Sequence, residues 1–396
     1  MSKPAGTLRA PKRPAPWNDP RVRAVVFQIV VVAAVVAFGV YIVNNTLDNL
    51  ARRGIASGFD FLSSEAGFGI IQTLIEYSEA SSYGQAFWVG LLNTLLVSVI
   101  GIVLATLLGF IIGVARLSKN WLIARMATIY IEVFRNVPLL LQLFFWYFAV
   151  LRTLPSPRRS IVIGDSVFLN IRGLYAPKPV PEDGFWLIPA AILVATVAVV
   201  VIARWAHRRQ YRTGQQFHTG YVSAGLLIGL PLLATVLSGF PLSWDLPALR
   251  GFNFSGGMVL IPEFVALLLA LSIYTASFIA EIVRAGILAV SHGQTEAAYS
   301  VGLRPGPTLR LVVIPQAMRV IIPPLTSQYL NLTKNSSLAA AIAYPDLVSV
   351  FAGTVLNQTG QAIEVIAITM SVYLTLSLLI SLLMNWYNKR MELVER

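Results

Sequence analysis

The chain has no cysteine. Disulfides, thiol nucleophiles and thiolate metal sites are therefore excluded. Its three histidines, His207, His218 and His292, are scattered and too few for a histidine metal site. No G-x-x-x-x-G-K-[ST] pattern occurs, so the chain carries no phosphate-binding loop and no ATPase site of its own. No catalytic constellation stands out either, which argues against an intramembrane enzyme. Charge is the scarcest resource: 12% of the 396 residues are Asp, Glu, Lys or Arg, about half the usual share for a soluble domain, roughly 25%. A water-facing surface of this size needs more. Much of the surface must therefore meet something other than water.

Apolar residues fill the gap, at 56% of the chain with a mean hydropathy of +0.70. Stretches such as Ala24–Val43 and Val365–Met384 run without a charge and are long enough, as helices, to cross a bilayer. The expected fold is an all-α integral membrane protein of about eight spans. They fall at Ala24–Val43, Trp88–Gly113, Met126–Leu151, Phe185–Ala203, Tyr221–Phe240, Ile261–Ala280, Val312–Leu332 and Ile363–Met384. The first follows a polar stretch and lacks a small-x-small cleavage pattern, so it reads as a retained anchor rather than a signal peptide.

The net charge is +12 and the pI about 10.1. Such a balance suits nucleic acid in a soluble protein. Here basic loops retained on the cytoplasmic side of a membrane explain it better, and no nucleic-acid partner is expected. The segments that would lie on one face sum to +15, those on the other to about −1. The bias places both termini in the cytoplasm, as an even number of spans requires. The outer loop 152–184 is rich in proline and is expected to hold little regular structure. The fourth and fifth spans carry no ionisable residue and read as peripheral, lipid-facing helices.

The segment Ser291–Pro315 carries the most information. Gln294–Val301 suits a short helix, Gly302 suits a left-handed end to it, and Arg304–Pro307 reads as a forced turn. A short helix held at both ends outside the bilayer suits docking of another protein. Glu296–Ala297–Ala298, then Gly302, then Val312, Ile314 and Pro315 resemble the EAA motif of ABC importer permeases, with Val312 and Ile314 as conservative departures. The phrases GLLNTLLVSVIGIVLATLLGFIIGVARLS from Gly90, YIEVFRNVPLLLQLFF from Tyr130 and YTASFIAEIVRAGILAVSHGQTEAA from Tyr274 resemble its polar amino acid branch. The layout is similar to the general L-amino-acid permease subunits.

That resemblance implies a type I ABC importer permease core with an added N-terminal span and a two-span insertion. Residues 1–87 would hold the cytoplasmic tail, anchor and periplasmic loop, 88–151 the first part of the core, 152–257 the insertion, 258–386 the second part with a coupling helix at 291–307, and 387–396 a cytoplasmic tail. It also implies that Glu296, Ala297, Ala298, Gly302 and Pro315 couple to a cytoplasmic ATPase dimer. The chain would bind no cofactor or metal; ATP and Mg2+ would belong to that ATPase. A second related permease, a periplasmic amino-acid-binding protein, an L-amino acid and membrane lipid complete the expected partners, in a bacterial inner membrane.

Polar residues within spans mark the expected path. Glu132 and Arg135 share one helix face and would pair with each other, lie at the interface, or meet a charged solute or the partner permease. Asn136–Val137–Pro138 predicts a break beyond them. Glu281 and Arg284 repeat the spacing and suggest a local ion pair. Tyr274, Thr275, Ser277, Gln328, Asn331 and Asn335 supply hydrogen-bonding groups that suit a zwitterion's path. Two other classes of function fit the bare residues. One is an ion- or proton-coupled secondary transporter working through Glu132 or Glu281. The other is a membrane scaffold docking through its basic loops.

Overall fold

A computed structural model describes residues 20–52 and 58–391. The basic N-terminal stretch 1–19 and the tail end 392–396, both counted in the charge bias, lie outside the described residues. Among the described residues seven helices are long and apolar enough to cross a membrane, or eight where the bent pair is counted as one span. The membrane part is all-α. In chain order come α1 (Pro20–Arg52), α2 (Tyr83–Arg116), α3 (Trp121–Asn136) and α4 (Leu139–Phe144), then α5 (Leu187–Thr213) and α6 (Thr219–Leu237). There follow α7 (Pro262–Leu288), α8 (His292–Ser300), α9 (Pro305–Thr308), α10 (Ile314–Asn335), α11 (Leu356–Thr359) and α12 (Ala362–Met391).

Small residues build the centre. Along α2 the buried positions include Gly90, Thr94, Ser98, Gly101, Ala105, Gly109 and Gly113, a seam repeating every three to four residues. Such a seam lets backbones approach closely where lipid supplies no hydrophobic drive. A Cβ on Gly109 would lie 2.6 Å from the Ile279 Cβ, and one on Gly113 would lie 2.6 Å from the Ala280 carbonyl oxygen. Gly101 faces Leu268, so the matched positions rise together and α2 and α7 run parallel. Helix α10 runs antiparallel on α7: Gly286 meets Ile321, whereas Leu332 shares with Leu268 the niche at Gly101.

The predicted break is present. Helices α3 and α4, with the turns that carry α4 on to Thr153, are bent by 105° about Val137–Pro138. Gln142, which is buried, donates from Nε2 to the Phe134 and Val137 carbonyls at 3.0 and 2.9 Å. It thus satisfies backbone groups that the break frees. Before Pro315 the backbone widens into a π-helical turn at Leu309–Val313, since proline offers no N–H to the preceding turn.

Two expectations need correction. The proline-rich loop 152–184 is not irregular. It forms β1 (Ile161–Ile163), β2 (Val167–Asn170), β3 (Gly173–Ala176) and β4 (Lys178–Pro181). The loop before α7 adds β5 (Leu242–Asp245), β6 (Ala248–Arg250), β7 (Asn253–Ser255) and β8 (Met258–Leu260). Strands β1-β2-β3-β8 form one antiparallel sheet, and β4-β5 and β6-β7 form two ribbons. Pro179 and Pro181 sit on a ribbon strand, where a missing N–H is tolerated, while β-branched and aromatic residues make many of the pairs. The second correction is Arg304–Pro307. Pro305 opens α9 at a first-turn position, where its fixed φ suits a helix, so the segment starts a helix rather than closing a turn.

Helices α5 and α6 pack on one another as a hairpin and contribute no residue to either apolar core cluster. The larger cluster joins α2, α4, α7 and α10; a smaller one joins Phe61, Leu347, Phe351, Val355 and Val365.

Candidate functional site

Three polar assemblies stand out against this apolar frame. The first lies where α2 ends. Arg116 and Arg284 both bind Glu281, the latter with Nη2 at 2.6 Å and Nε at 3.1 Å. Sequence spacing foresaw the Glu281–Arg284 pair but not the arginine from another helix. Arg135 lies over the Phe278 ring at 5.0 Å from its centroid, a cation–π contact. Glu132 and Arg135 make no ion pair with each other, contrary to one reading of their spacing; the guanidinium lies instead over Phe278 of α7. Arg116, Glu132, Arg135, Asn136, Phe278 and Glu281 together line a cavity of about 400 Å³.

The second assembly is α8, at the same end of the bundle. Its C-terminus closes in a Schellman motif: Leu303 N–H donates to the Ala298 carbonyl at 3.1 Å and Gly302 N–H to that of Tyr299 at 2.9 Å. Gly302 has φ +81°, the left-handed value its position predicted. Ala298 is buried against the following turns; Ala297 and Glu296 face outward. The Glu296 carboxylate is 71% exposed, and its one ion-pair contact is the exposed imidazole of His292 at 3.2 Å. Gln316 on α10 donates to Gln294 at 3.2 Å, tying α8 to a span. Pro315 opens α10. The helix is thus exposed, closed at its C-terminus and joined to α10 by a side-chain hydrogen bond.

The third assembly was missed from sequence. Asn93, Thr94, Tyr344 and Asp346 are fully buried. Asn93 donates from Nδ2 to the Gln72 and Pro345 carbonyls at 2.9 Å each, and the Leu347 N–H donates to the Thr94 hydroxyl at 3.0 Å. Asp346 accepts from the Ser349 N–H at 2.8 Å, capping the helical turns 348–355. Tyr373 donates to its other oxygen at 3.4 Å. Asp346 lies in the connection between the spans α10 and α12, where burial pushes its carboxyl up to about 7 against the pull of these donors. This network pins the connection onto α2 at Gly90, where a Cβ would sit 3.0 Å from the Leu347 Cα. The available signal was the single acidic residue between Lys334 and Glu364, set opposite an Asn–Thr pair in an uncharged stretch.

The other candidates divide. Tyr274 packs its ring at a tilt against Phe278, with centroids 4.9 Å apart, but is not among the residues that line the first cavity. Thr275 and Ser277 are buried, and the Ser277 hydroxyl donates to its own helix at Tyr274. On α10, Asn331 is exposed and Gln328 and Asn335 half-buried. They lie near the level of Leu268, about 20 Å of helix rise from Glu281, so the structure does not bring the two groups into one pocket. Among the described residues no group of acidic residues and histidines has the arrangement to hold a metal ion.

Comparison with known proteins gives concordant matches. Residues 105–393 match the family model described as binding-protein-dependent transport system inner membrane component. The chain is 62% identical over 380 residues to YhdX of Escherichia coli, whose name gives it as an amino-acid ABC transporter permease; the match covers 96% of this chain and 97% of that one. It is 57% identical to the general L-amino acid transport system permease protein AapQ of Rhizobium johnstonii, covering 96% and 94%. It is 45% identical to the glutamate/glutamine/aspartate/asparagine transport system permease protein BztB of Rhodobacter capsulatus, covering 96% of each.

Proposed function

The chain belongs to the family of binding-protein-dependent transport system inner membrane components, and from that premise we propose how its parts divide the work. It is a multi-pass membrane permease component of an ABC-type amino-acid import system working with a separate ATPase, and is itself non-catalytic. The family works in complexes with an ATPase that uses ATP and Mg2+ and with a periplasmic binding protein.

Helix α8 is the coupling element, with Glu296, Ala297 and Ala298 on it, Gly302 closing its C-terminal end and Pro315 in the first turn of α10 beyond it. The observation that carries this reading is an exposed helix closed by a Schellman motif and tied to α10 through Gln294–Gln316. An ATPase dimer grips α8 and moves the spans. The chain forms half of the path, with a second, related permease forming the rest. A binding protein delivers an L-amino acid to the sheet-bearing face, and both termini are cytoplasmic. Glu132, Arg135, Tyr274 and Glu281 border the path at the α8 end, and Gln328, Asn331 and Asn335 border it further out. The insertion 152–257 stays at the periphery, which the self-contained packing of α5 on α6 supports. Proton coupling through Glu281 finds no support, since two arginines hold its carboxylate.

Gly302→Pro removes an N–H and demands a φ near −65° where +81° is needed. Glu296→Lys reverses the exposed charge. Both variants are expected at near-normal membrane levels, with the ATPase lost on co-purification and amino acid uptake abolished. A loop without this role tolerates such changes within about 0.5 kcal/mol. Normal ATPase retention together with normal uptake in both would remove α8 as the coupling element.

A further inference from the structure

Helix α10 carries one stripe of exposed residues, Val320, Pro324, Ser327, Asn331 and Lys334, at alternating spacings of four and three. A face with a serine, an asparagine and a lysine at membrane depth does not suit lipid. At its outer end Lys334 opens onto a cavity of about 440 Å³ between α10, the turns 348–355 and α12. Ser337, Thr369, Tyr373 and Ser377 share the wall with Met370 and Leu374.

The polar groups of that wall are mostly engaged. Ser337 donates to the Lys334 carbonyl at 2.7 Å, Thr369 to the Val365 carbonyl at 2.8 Å, and Tyr373 to Asp346. The ammonium of Lys334 is different. None of the ion pairs among the described residues includes it. Asp346, behind Tyr373, is buried and occupied in capping the turns 348–355. A cation in the last turn of α10 gains something from the helix carbonyls, but that gain needs no cavity. An unneutralised charge inside a span is costly unless an anion meets it there.

We propose that Lys334 receives the carboxylate of the transported amino acid in this cavity, making it a specificity-determining residue that favours solutes bearing a free carboxylate. This rests on the reading of the chain as an amino-acid permease component. The cavity is large enough for a small solute, and no carboxylate among its lining residues competes for the ammonium. The apolar side, from Met370 and Leu374, meets the solute's side chain without choosing closely among them.

The test uses the assembled complex, with its second permease, ATPase and binding protein, reconstituted in vesicles. ATP-driven uptake is measured with labelled L-glutamine, L-glutamate, L-leucine and L-histidine. Lys334→Met and Lys334→Gln remove the charge; Lys334→Arg keeps it. The charge-removing variants are expected to assemble and to hydrolyse ATP as the parent does, but to move about tenfold less amino acid per ATP, the loss of one charge-assisted contact. The arginine variant is expected to retain most of the yield. An unchanged yield in both uncharged variants overturns the inference. So does loss of the second permease from both complexes, which would show that Lys334 pairs across the subunit interface instead. If the unaltered complex carries none of the four probes, the amino-acid reading beneath the inference fails, and that result appears before any substitution is made.

Discussion

At Gly109 the absence of a side chain is what lets two spans touch. Its missing Cβ leaves room for Ile279, and any larger residue meets a branched side chain at 2.6 Å and the Ala276 carbonyl at 3.0 Å. Gly109→Val is expected to cost about 1–3 kcal/mol by overpacking. Thermal unfolding of the purified complex should register this as a lower midpoint. Gly225→Ala on α6, where a Cβ meets nothing, should leave the midpoint unchanged or slightly raised. Equal midpoints in both variants would deny the seam its role. Single residues were unevenly legible. Gly302 was readable because its constraint is local, a backbone angle set by the helix that precedes it. Asn93 and Tyr344 were not, because the groups they bond lie about 250 residues away along the chain. Arg135 shows the same limit: spacing on one helix offered Glu132, and another helix supplied Phe278.

Among whole elements, hydropathy marked every span, since lipid demands an unbroken apolar length. Periodicity could not say which spans meet. α5 and α6 are apolar enough to span, as α2 is, yet α2 carries the buried small-residue seam and they pack chiefly on one another. The hairpin is therefore expected to line no path. Cysteines placed singly at Val194 and Leu227, both exposed, should react with a membrane-permeant thiol reagent at the same rate with and without saturating amino acid. Protection by the solute at either position would move the hairpin into the pathway. The loops around it were misread for a physical reason. Proline content predicts broken backbone, but strand pairing across loops remote in sequence, as between Leu174 and Leu260, overrides it.

Across the whole molecule the asymmetry of charge predicts orientation. Arg208 on α5 should be cytoplasmic, and Asp60 and Pro179 periplasmic. The absence of native cysteine makes single-cysteine labelling with a membrane-impermeant reagent a direct check. Labelling of position 179 only from the cytoplasmic side would reverse the topology. Composition, hydropathy and motif spacing were sufficient for the membrane class, the number of spans, the short helix closed at Gly302 and the break at Pro138. Each of these is dictated by lipid, by charge bias or by a backbone constraint within a few residues. Only the tertiary structure decided that Arg116 joins Arg284 on Glu281, that a buried Asn–Thr–Asp network pins the connection before α12, and that Lys334 opens into a cavity without a counter-ion. Those arrangements depend on which helix faces meet, and a face meets its partner through packing that no short window of sequence encodes.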